Sequence, residues 1–188
     1  MPTIFLTGGG SAGHVTPNLA LIPELKARGW EVAYIGTHNG IEHKLIDGLI
    51  PYYPISAGKL RRYFDWRNFT DPFRVLKGVV DSLRILRRHR PDIIFSKGGF
   101  VSLPVAVAAR CLGIPVVLHE SDLTPGLANR LALPFATHIC VTFPETMDHV
   151  PKAKASITGN PIRRSLLDGD AAKARKLWGF DRGKPVIL

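Results

Sequence analysis

The stretch GGGSAGHVTP, residues 8–17, follows directly on the apolar run TIFLT at residues 3–7. A strand that runs through a glycine turn into a helix points unpaired backbone N–H groups and the positive end of the helix dipole at one spot. That spot favours phosphate, and glycine lets a ligand approach the backbone closely. The stretch therefore predicts a β–α unit with an anion-binding turn. A tight turn without a ligand is the alternative for a single cluster of this kind.

Short apolar runs alternate with helical patterns along the rest of the chain. The predicted strands are 3–6, 31–35, 52–55, 92–96, 115–118, 138–141 and 155–158. This rhythm is typical of βαβ units, so the sequence predicts an α/β fold with a Rossmann-like parallel sheet and helices on both faces.

The helix starts carry their own signals. Thr16 before Pro17 and Asp71 before Pro72 each place a capping side chain ahead of a proline at the first helical position. Apolar residues recur with helical spacing over 73–86 and again within 171–178. Pro23 predicts a kink or an early end in the first helix, because an internal proline removes a backbone hydrogen bond.

A second glycine cluster, FSKGGFVSLP at residues 95–104, repeats the order strand, glycines, helix. Two such loops at the ends of parallel strands can face one ligand. A dinucleotide-binding dehydrogenase would combine G-x-G-x-x-G with an acidic residue at the end of the second strand, whereas here that strand ends in YIGTHNG without one. A Walker A motif is also absent from the sequence.

His14 lies within the first glycine cluster. A histidine held in a glycine turn at a helix start is exposed toward a ligand, and the positive helix end favours its neutral, proton-accepting form. We therefore predict that His14 is a general base.

Composition narrows the class of protein. The chain has 188 residues, 45% of them hydrophobic, and a formal charge of +10. We expect a globular cytoplasmic protein, since no basic region precedes the first apolar run and no segment reads as membrane-spanning. Cys111 and Cys140 match no metal-ligand spacing, so we expect free thiols and no metal or cofactor.

The positive charge is concentrated in one segment. Residues 59–90 hold ten Lys or Arg and three Asp, a net +7. Cations and aromatic rings alternate at its start, which suits an anionic membrane surface. The predicted membrane-facing residues are Lys59, Arg61, Arg62, Phe64, Trp66 and Arg67. The alternative is that the rings are core residues beneath a solvated basic face; nucleic acid is disfavoured, because no nucleic-acid-binding motif accompanies the patch.

Four motifs together, GGGSAGHVTP, FSKGGFVSLP, IPVVLHESDLTPGLANR and TGNPIRRS, resemble the N-terminal half of the MurG family of peptidoglycan N-acetylglucosaminyltransferases. The resemblance runs from residue 3 to about residue 165. It implies the N-terminal half of a GT-B fold. It also implies an inverting, metal-independent transfer of N-acetylglucosamine from UDP-N-acetylglucosamine to the muramoyl sugar on undecaprenyl diphosphate, which converts lipid I to lipid II.

The resemblance also implies roles for residues. His14 would take the proton from the attacking hydroxyl. Apart from the resemblance, His119 and Glu120 end the run VVLHE, the usual place for site residues in a parallel sheet, so they either support the site or make a structural hydrogen bond that orients the loops. Asp122 stands where many members of the family have Asn, which removes an amide donor. Residues implied to bind the acceptor diphosphate are Gly9, Gly10, Ser11, Gly13, Gly98, Gly99 and Phe100. Residues implied to approach the donor are Ser11, Ala12, Gly13 and Arg163, with Arg164 as the alternative to Arg163.

The expected organisation follows from the same resemblance. Residues 1–165 would be an acceptor-binding domain, and 166–188 a linker and the start of a missing C-terminal donor domain. Such a chain would act at the cytoplasmic face of the cell membrane and would be inactive alone. Two alternatives are the non-catalytic membrane-adaptor half of a two-chain glycosyltransferase and a glycosyltransferase acting on a glycerolipid.

Overall fold

A computed structural model describes residues 1–58 and 71–180. Within those ranges seven parallel strands form one sheet, in the order β3-β2-β1-β4-β5-β6-β7. In chain order they are β1 (Thr3–Thr7), β2 (Glu31–Thr37), β3 (Tyr52–Ile55), β4 (Ile93–Ser96), β5 (Val116–Glu120), β6 (His138–Val141) and β7 (Ala155–Ile157). The order reverses between β1 and β4, and parallel sheets bind ligands at such a switch point. All seven predicted strands are confirmed, with ends shifted by at most two residues.

Helices cover both faces of the sheet, as predicted. In the described ranges they are α1 (Thr16–Ala27), α2 (Ile41–Ile46), α3 (Asp71–His89), α4 (Ser102–Cys111), α5 (Leu127–Ala132) and α6 (Ala171–Trp178). Successive side chains of a strand point to opposite faces. Ile4 and Leu6 of β1 therefore pack in one core cluster with residues of α1 and α2. Phe5 packs in the other cluster, with residues of α3 and α4.

The start of α1 differs from its prediction. A 3₁₀ turn over Ala12–His14 leads directly into α1, and the position before the helix is Val15 in a helical conformation. Since the chain is already turning before Thr16, no side-chain cap forms there. The Thr16 hydroxyl instead donates to the backbone carbonyl of Ala12, over 2.8 Å.

The early end predicted at Pro23 is wrong, and a kink there stays a prediction. Helix α1 continues through this residue to Ala27. Pro23 is exposed while its neighbour Ile22 is buried in the core. Burial of Ile22 therefore holds the helix against the sheet although Pro23 lacks an N–H group.

Asp71, predicted as a capping residue, lies in α3, and the described part of this helix begins there. The Asp71 carboxylate lies in the first turn, 3.7 Å from the guanidinium of Arg74. The helix predicted over 171–178 is confirmed as α6. Cys111 and Cys140 are free thiols.

The predicted membrane-facing residues Lys59 to Arg67 lie outside the described residues. Across 1–58 and 71–180, none of the helices is both long enough and apolar enough to span a bilayer.

Candidate functional site

The two glycine clusters meet at the switch point of the sheet. The backbone N–H of Gly9, after β1, donates to the carbonyl of Gly98, after β4, over 3.3 Å. A Cβ atom added at Gly99 would collide with the carbonyl oxygen of Gly9, and Gly99 has a φ of +84°. Both the contact and the backbone conformation therefore require glycine at residue 99.

Two backbone N–H groups of the first loop donate hydrogen bonds to other parts of the protein. Beside the Gly9 bond, the N–H of Gly10 donates to a carboxylate oxygen of Glu42, over 3.2 Å. Within the described ranges the N–H groups of Ser11, Ala12 and Gly13 have no hydrogen-bond partner. The groups open to an anion in this loop are thus those of residues 11–13, and Gly9 and Gly10 join the loop to its neighbours.

The second loop leads into α4. Gly98 and Gly99 have φ values of +101° and +84°. In the part of the chain that the structure describes, the N–H groups of Gly99, Phe100 and Val101 lack partners. They lie at the N-terminus of a ten-residue helix, where the helix dipole favours an anion.

His14 lines a cavity of about 170 Å³, which we call the base cavity. Its other lining residues are Gly99, Phe100, Glu120, Asp122, Gly126, Leu127, Ala128 and Asn129. The His14 ring is half-buried, and no residue in the described ranges makes a well-formed hydrogen bond to its buried Nδ1.

The environment of His14 favours the neutral imidazole. Burial lowers its pKa most, and the positive charge of Lys97 lowers the pKa further. The backbone of Lys97 and the negative charges of Glu120 and Asp122 act in the opposite direction. From the sequence we expected the positive end of the helix to keep the His14 ring neutral. In the structure, burial and the charge of Lys97 are the causes of its lowered pKa.

Glu120 organises the loop after β5. Its carboxylate accepts hydrogen bonds from the N–H groups of Ser121, Asp122 and Gly126 and from the side-chain amide of Asn129, at 2.8, 2.9, 3.2 and 2.8 Å. These four hydrogen bonds orient the loop after β5. The Glu120 side chain is buried, with 5% of its surface exposed.

His119 connects β5 to the segment after β7. Its Nε2 lies 2.8 Å from the backbone oxygen of Gly159. Burial is the main cause of its lowered pKa, and the charge of Lys97 lowers the pKa as well.

Asp122 and Arg163 differ in placement. Asp122 is exposed and lines the base cavity, and its carbonyl accepts a bond from the Thr146 hydroxyl over 3.1 Å. Arg163 is exposed at the turn before a short 3₁₀ segment at Arg164–Leu166 and is not part of the cavity lining.

Two buried residues of the site were not identified from the sequence. Lys97 lies between the strand β4 and the glycines that follow it, with 1% of its surface exposed. Glu42 is fully buried and accepts bonds from Gly10 and from the Thr37 backbone and hydroxyl. It thus provides an acidic group at the end of β2, five residues after that strand. No spacing rule distinguishes either residue from an ordinary surface charge.

A larger cavity of about 640 Å³ adjoins the glycine loops through Gly10 and Phe100. The loop after β2, the end of β3 and the helix α3 form its other walls, with Arg74 and Lys77 contributed by α3. Phe100 lines both cavities, so the two are neighbours along the carboxyl edge of the sheet.

A sequence model of the glycosyltransferase family 28 N-terminal domain matches residues 4–141. That range contains both glycine loops and the base cavity. The chain belongs to glycosyltransferase family 28. This membership agrees with the prediction that the chain is the N-terminal half of a GT-B fold.

Several relatives share this family 28 region at high identity. A protein of Clostridium botulinum (strain Langeland) is 59% identical over all of this chain and 53% of its own length. Proteins of Geobacillus thermodenitrificans and Clostridium perfringens are 59% and 60% identical, each over 98% of this chain and 52% of their own length. All three are named UDP-N-acetylglucosamine–N-acetylmuramyl-(pentapeptide) pyrophosphoryl-undecaprenol N-acetylglucosamine transferase. The chain spans about half the length of these curated relatives.

Solved structures share the family 28 fold. The crystal structure of Acinetobacter baumannii MurG superposes with a TM-score of 0.72 at 29% identity, over 92% of this chain and 47% of that one. A UDP-N-acetylglucosamine 2-epimerase of Rickettsia bellii superposes with a TM-score of 0.68 at 13% identity, over 96% and 50%. At that identity the epimerase shows the fold alone.

Proposed function

We propose that this chain is the acceptor-binding half of an inverting N-acetylglucosaminyltransferase that needs no metal. The sugar moves from UDP-N-acetylglucosamine to the C4 hydroxyl of the muramoyl-pentapeptide on undecaprenyl diphosphate, which converts lipid I to lipid II. The names of the relatives support this donor and this acceptor. Residues 1–165 form the acceptor domain, and residues 166–188 lead to a C-terminal donor domain.

The observation that carries the proposal is the placement of His14. It is a half-buried imidazole with a lowered pKa, beside joined glycine loops and on the wall of a cavity. As the acceptor oxygen bonds to the anomeric carbon, the bond from that carbon to UDP breaks and its electron pair leaves with UDP. His14 accepts the hydroxyl proton, so the attacking oxygen does not build up positive charge. Attack opposite the leaving group inverts the anomeric centre.

The diphosphate of the acceptor binds at the joined loops. Its oxygens accept from the open N–H groups of residues 11–13 and 99–101, and the dipole of α4 adds positive potential. Gly9, Gly10 and Gly98 hold the two loops at the required separation. The larger cavity beside Phe100 offers room for the rest of the acceptor head group.

The donor approaches the same loops from the opposite side. Ser11, Ala12 and Gly13 are exposed, and so is Arg163. We assign these four residues to contacts with the nucleotide sugar across the cleft. A cation such as Arg163 suits a diphosphate, because a guanidinium donates two parallel hydrogen bonds.

A lipid-linked acceptor requires the protein to contact the bilayer. Phe73 and Leu76 at the start of α3 are 74% and 63% exposed, beside the exposed cations Arg74 and Lys77. They directly follow the basic, aromatic segment 59–70. We assign this region to the cytoplasmic face of the membrane, where each bound cation contributes about 1 kcal/mol.

The experiment is a transfer assay with UDP-N-acetylglucosamine and a short-chain lipid I analogue, run on the chain alone and on the chain joined to a C-terminal half from a relative. We expect transfer from the joined protein only. A diacylglycerol in place of the analogue tests the glycerolipid alternative, and transfer to it would contradict the proposal. Binding of the analogue with no transfer by the joined protein would favour the adaptor alternative.

A further inference from the structure

Lys97 is a buried cation at the junction of the two glycine loops. It is 1% exposed. Its backbone N–H donates to the carbonyl of Thr7 at the end of β1, over 2.9 Å. Its Cβ lies 3.2 Å from the position that a Cβ on Gly8 would occupy. The residue therefore packs beneath the first loop while it begins the second.

The ammonium group of Lys97 reaches the third loop of the site. Its Nζ donates to the hydroxyl of Ser121, over 2.9 Å. Among the described residues no carboxylate lies within ion-pair distance of this Nζ. A buried charge without a direct counter-ion carries a large desolvation cost, so its retention here calls for a reason beyond packing.

His14 and Lys97 are neighbours, because a Cβ on Gly8 would lie 2.6 Å from the carbonyl oxygen of His14 and 3.2 Å from the Cβ of Lys97. Two loops contribute charge near His14. Lys97 comes from the loop after β4, and Glu120 and Asp122 come from the loop after β5. Glu120 already accepts four hydrogen bonds from its own loop. Lys97 is thus the positively charged member of these three residues.

We propose that Lys97 is a positioning residue: its buried ammonium, bonded to Ser121, holds the 120–126 loop against the base cavity and adds a positive charge beside His14. This inference rests on the proposed function, because it takes His14 as the general base. A second positive charge on the imidazole beside a buried ammonium is unfavourable. His14 is therefore free to accept the acceptor's proton at neutral pH.

The positive charge of Lys97 also favours binding of the anionic substrate. A buried ammonium beneath the open N–H groups adds positive potential where we place the acceptor diphosphate, without occupying that space. Direct contact with substrate is not required of Lys97, since it is buried and does not line the base cavity.

The test is a titration of the histidine rings by NMR in the 188-residue chain, with the His14 signal assigned through His14→Gln. In Lys97→Met we expect the His14 midpoint to move to higher pH. In Lys97→Arg, which keeps the charge, we expect it to stay near that of the parent. In Ser121→Ala, which removes only the hydrogen bond to Lys97, we expect faster amide hydrogen exchange over 121–126, and unchanged exchange would overturn the loop-holding role of this bond. An unchanged His14 midpoint in a folded Lys97→Met variant would overturn the proposal.

A second measurement needs no variant at this position. The chemical shifts of the Lys97 side-chain Cε and Nζ report its charge state directly in the parent protein. We expect an ammonium throughout the pH range in which His14 titrates, and a neutral amine there would overturn the proposal. Neither titration depends on transfer activity, so failure of this inference is distinguishable from failure of the proposed function.

Discussion

The backbone N–H of Gly9 donates to the backbone carbonyl of Gly98 over 3.3 Å, which joins two loops that lie 89 residues apart in the sequence. Gly99 makes this approach possible, because any Cβ there would meet the carbonyl of Gly9. The anion site is therefore a property of the pair of loops.

We predict that Gly99→Ala separates the loops. Its φ of +84° adds strain to the steric clash, and a forced backbone of this kind costs about 1–3 kcal/mol. Urea denaturation should show a lower free energy of unfolding, and titration should show weaker binding of an undecaprenyl diphosphate analogue. The matched control is Gly169→Ala, where an added Cβ meets nothing within 4 Å. Unchanged stability and binding in Gly99→Ala would contradict the close approach.

Loss of the Glu120 carboxylate should loosen the loop after β5. Glu120→Gln keeps the shape of the side chain, but an NH₂ group, which donates, replaces one of the two oxygens that accept hydrogen bonds. Because hydrogen bonds to charged groups contribute about 1.5–3 kcal/mol each, we expect a destabilisation of about 2 kcal/mol. Amide hydrogen exchange over 121–126 should accelerate. Glu145→Gln, at an exposed residue, is the control; equal exchange rates in the two variants would exclude the loop-orienting role.

Acid should weaken the fold through two histidines. The pKa values of His14 and His119 are both lowered in the folded chain, chiefly by burial, from 6.5. The unfolded chain then binds more protons, so this part of the stability is present above pH 6.5 and is lost as the pH falls through 6.5 toward the folded pKa values. Urea denaturation across this range should show the loss. A double variant, His14→Gln with His119→Gln, should show a smaller acid dependence, and an unaltered one would refute this cause.

Much of the fold was predictable because its signals are local. Strand positions follow from apolar runs, and α6 from spacing within 171–178. The early end predicted at Pro23 was wrong, because the effect of a proline depends on which side of the helix packs against the sheet. Tertiary packing, and not the local sequence, decides that side. The cap at Thr16 was misjudged because the preceding 3₁₀ turn depends on the glycine loop itself.

The site was only partly predictable. His14 and the glycines stand out by type and spacing. Lys97 does not, because burial of a lysine depends on packing, here against Thr7 and Gly8 at the end of β1 and Ser121 at the end of β5. Glu42 is hidden in the same way, since α2 carries it back to Gly10 across 32 residues of sequence.

Binding to membranes should depend on charge. We predict that Arg61→Glu with Arg62→Glu reduces co-sedimentation with anionic phospholipid vesicles, and that added salt has the same effect on the parent protein. Arg28→Glu with Arg110→Glu, at two exposed positions outside the basic segment, is the matched control. Salt-insensitive binding, or equal loss in both double variants, would contradict an electrostatic contact at this segment.

The most direct test of the central claim is the turnover of His14→Ala beside the parent, in a protein that carries the donor half, with UDP-N-acetylglucosamine and a short-chain lipid I analogue. We expect turnover to fall by about 10²–10⁴-fold, as for loss of a general base, while binding of the analogue stays nearly intact. Turnover equal to that of the parent would show that the His14 imidazole takes no part in the chemistry.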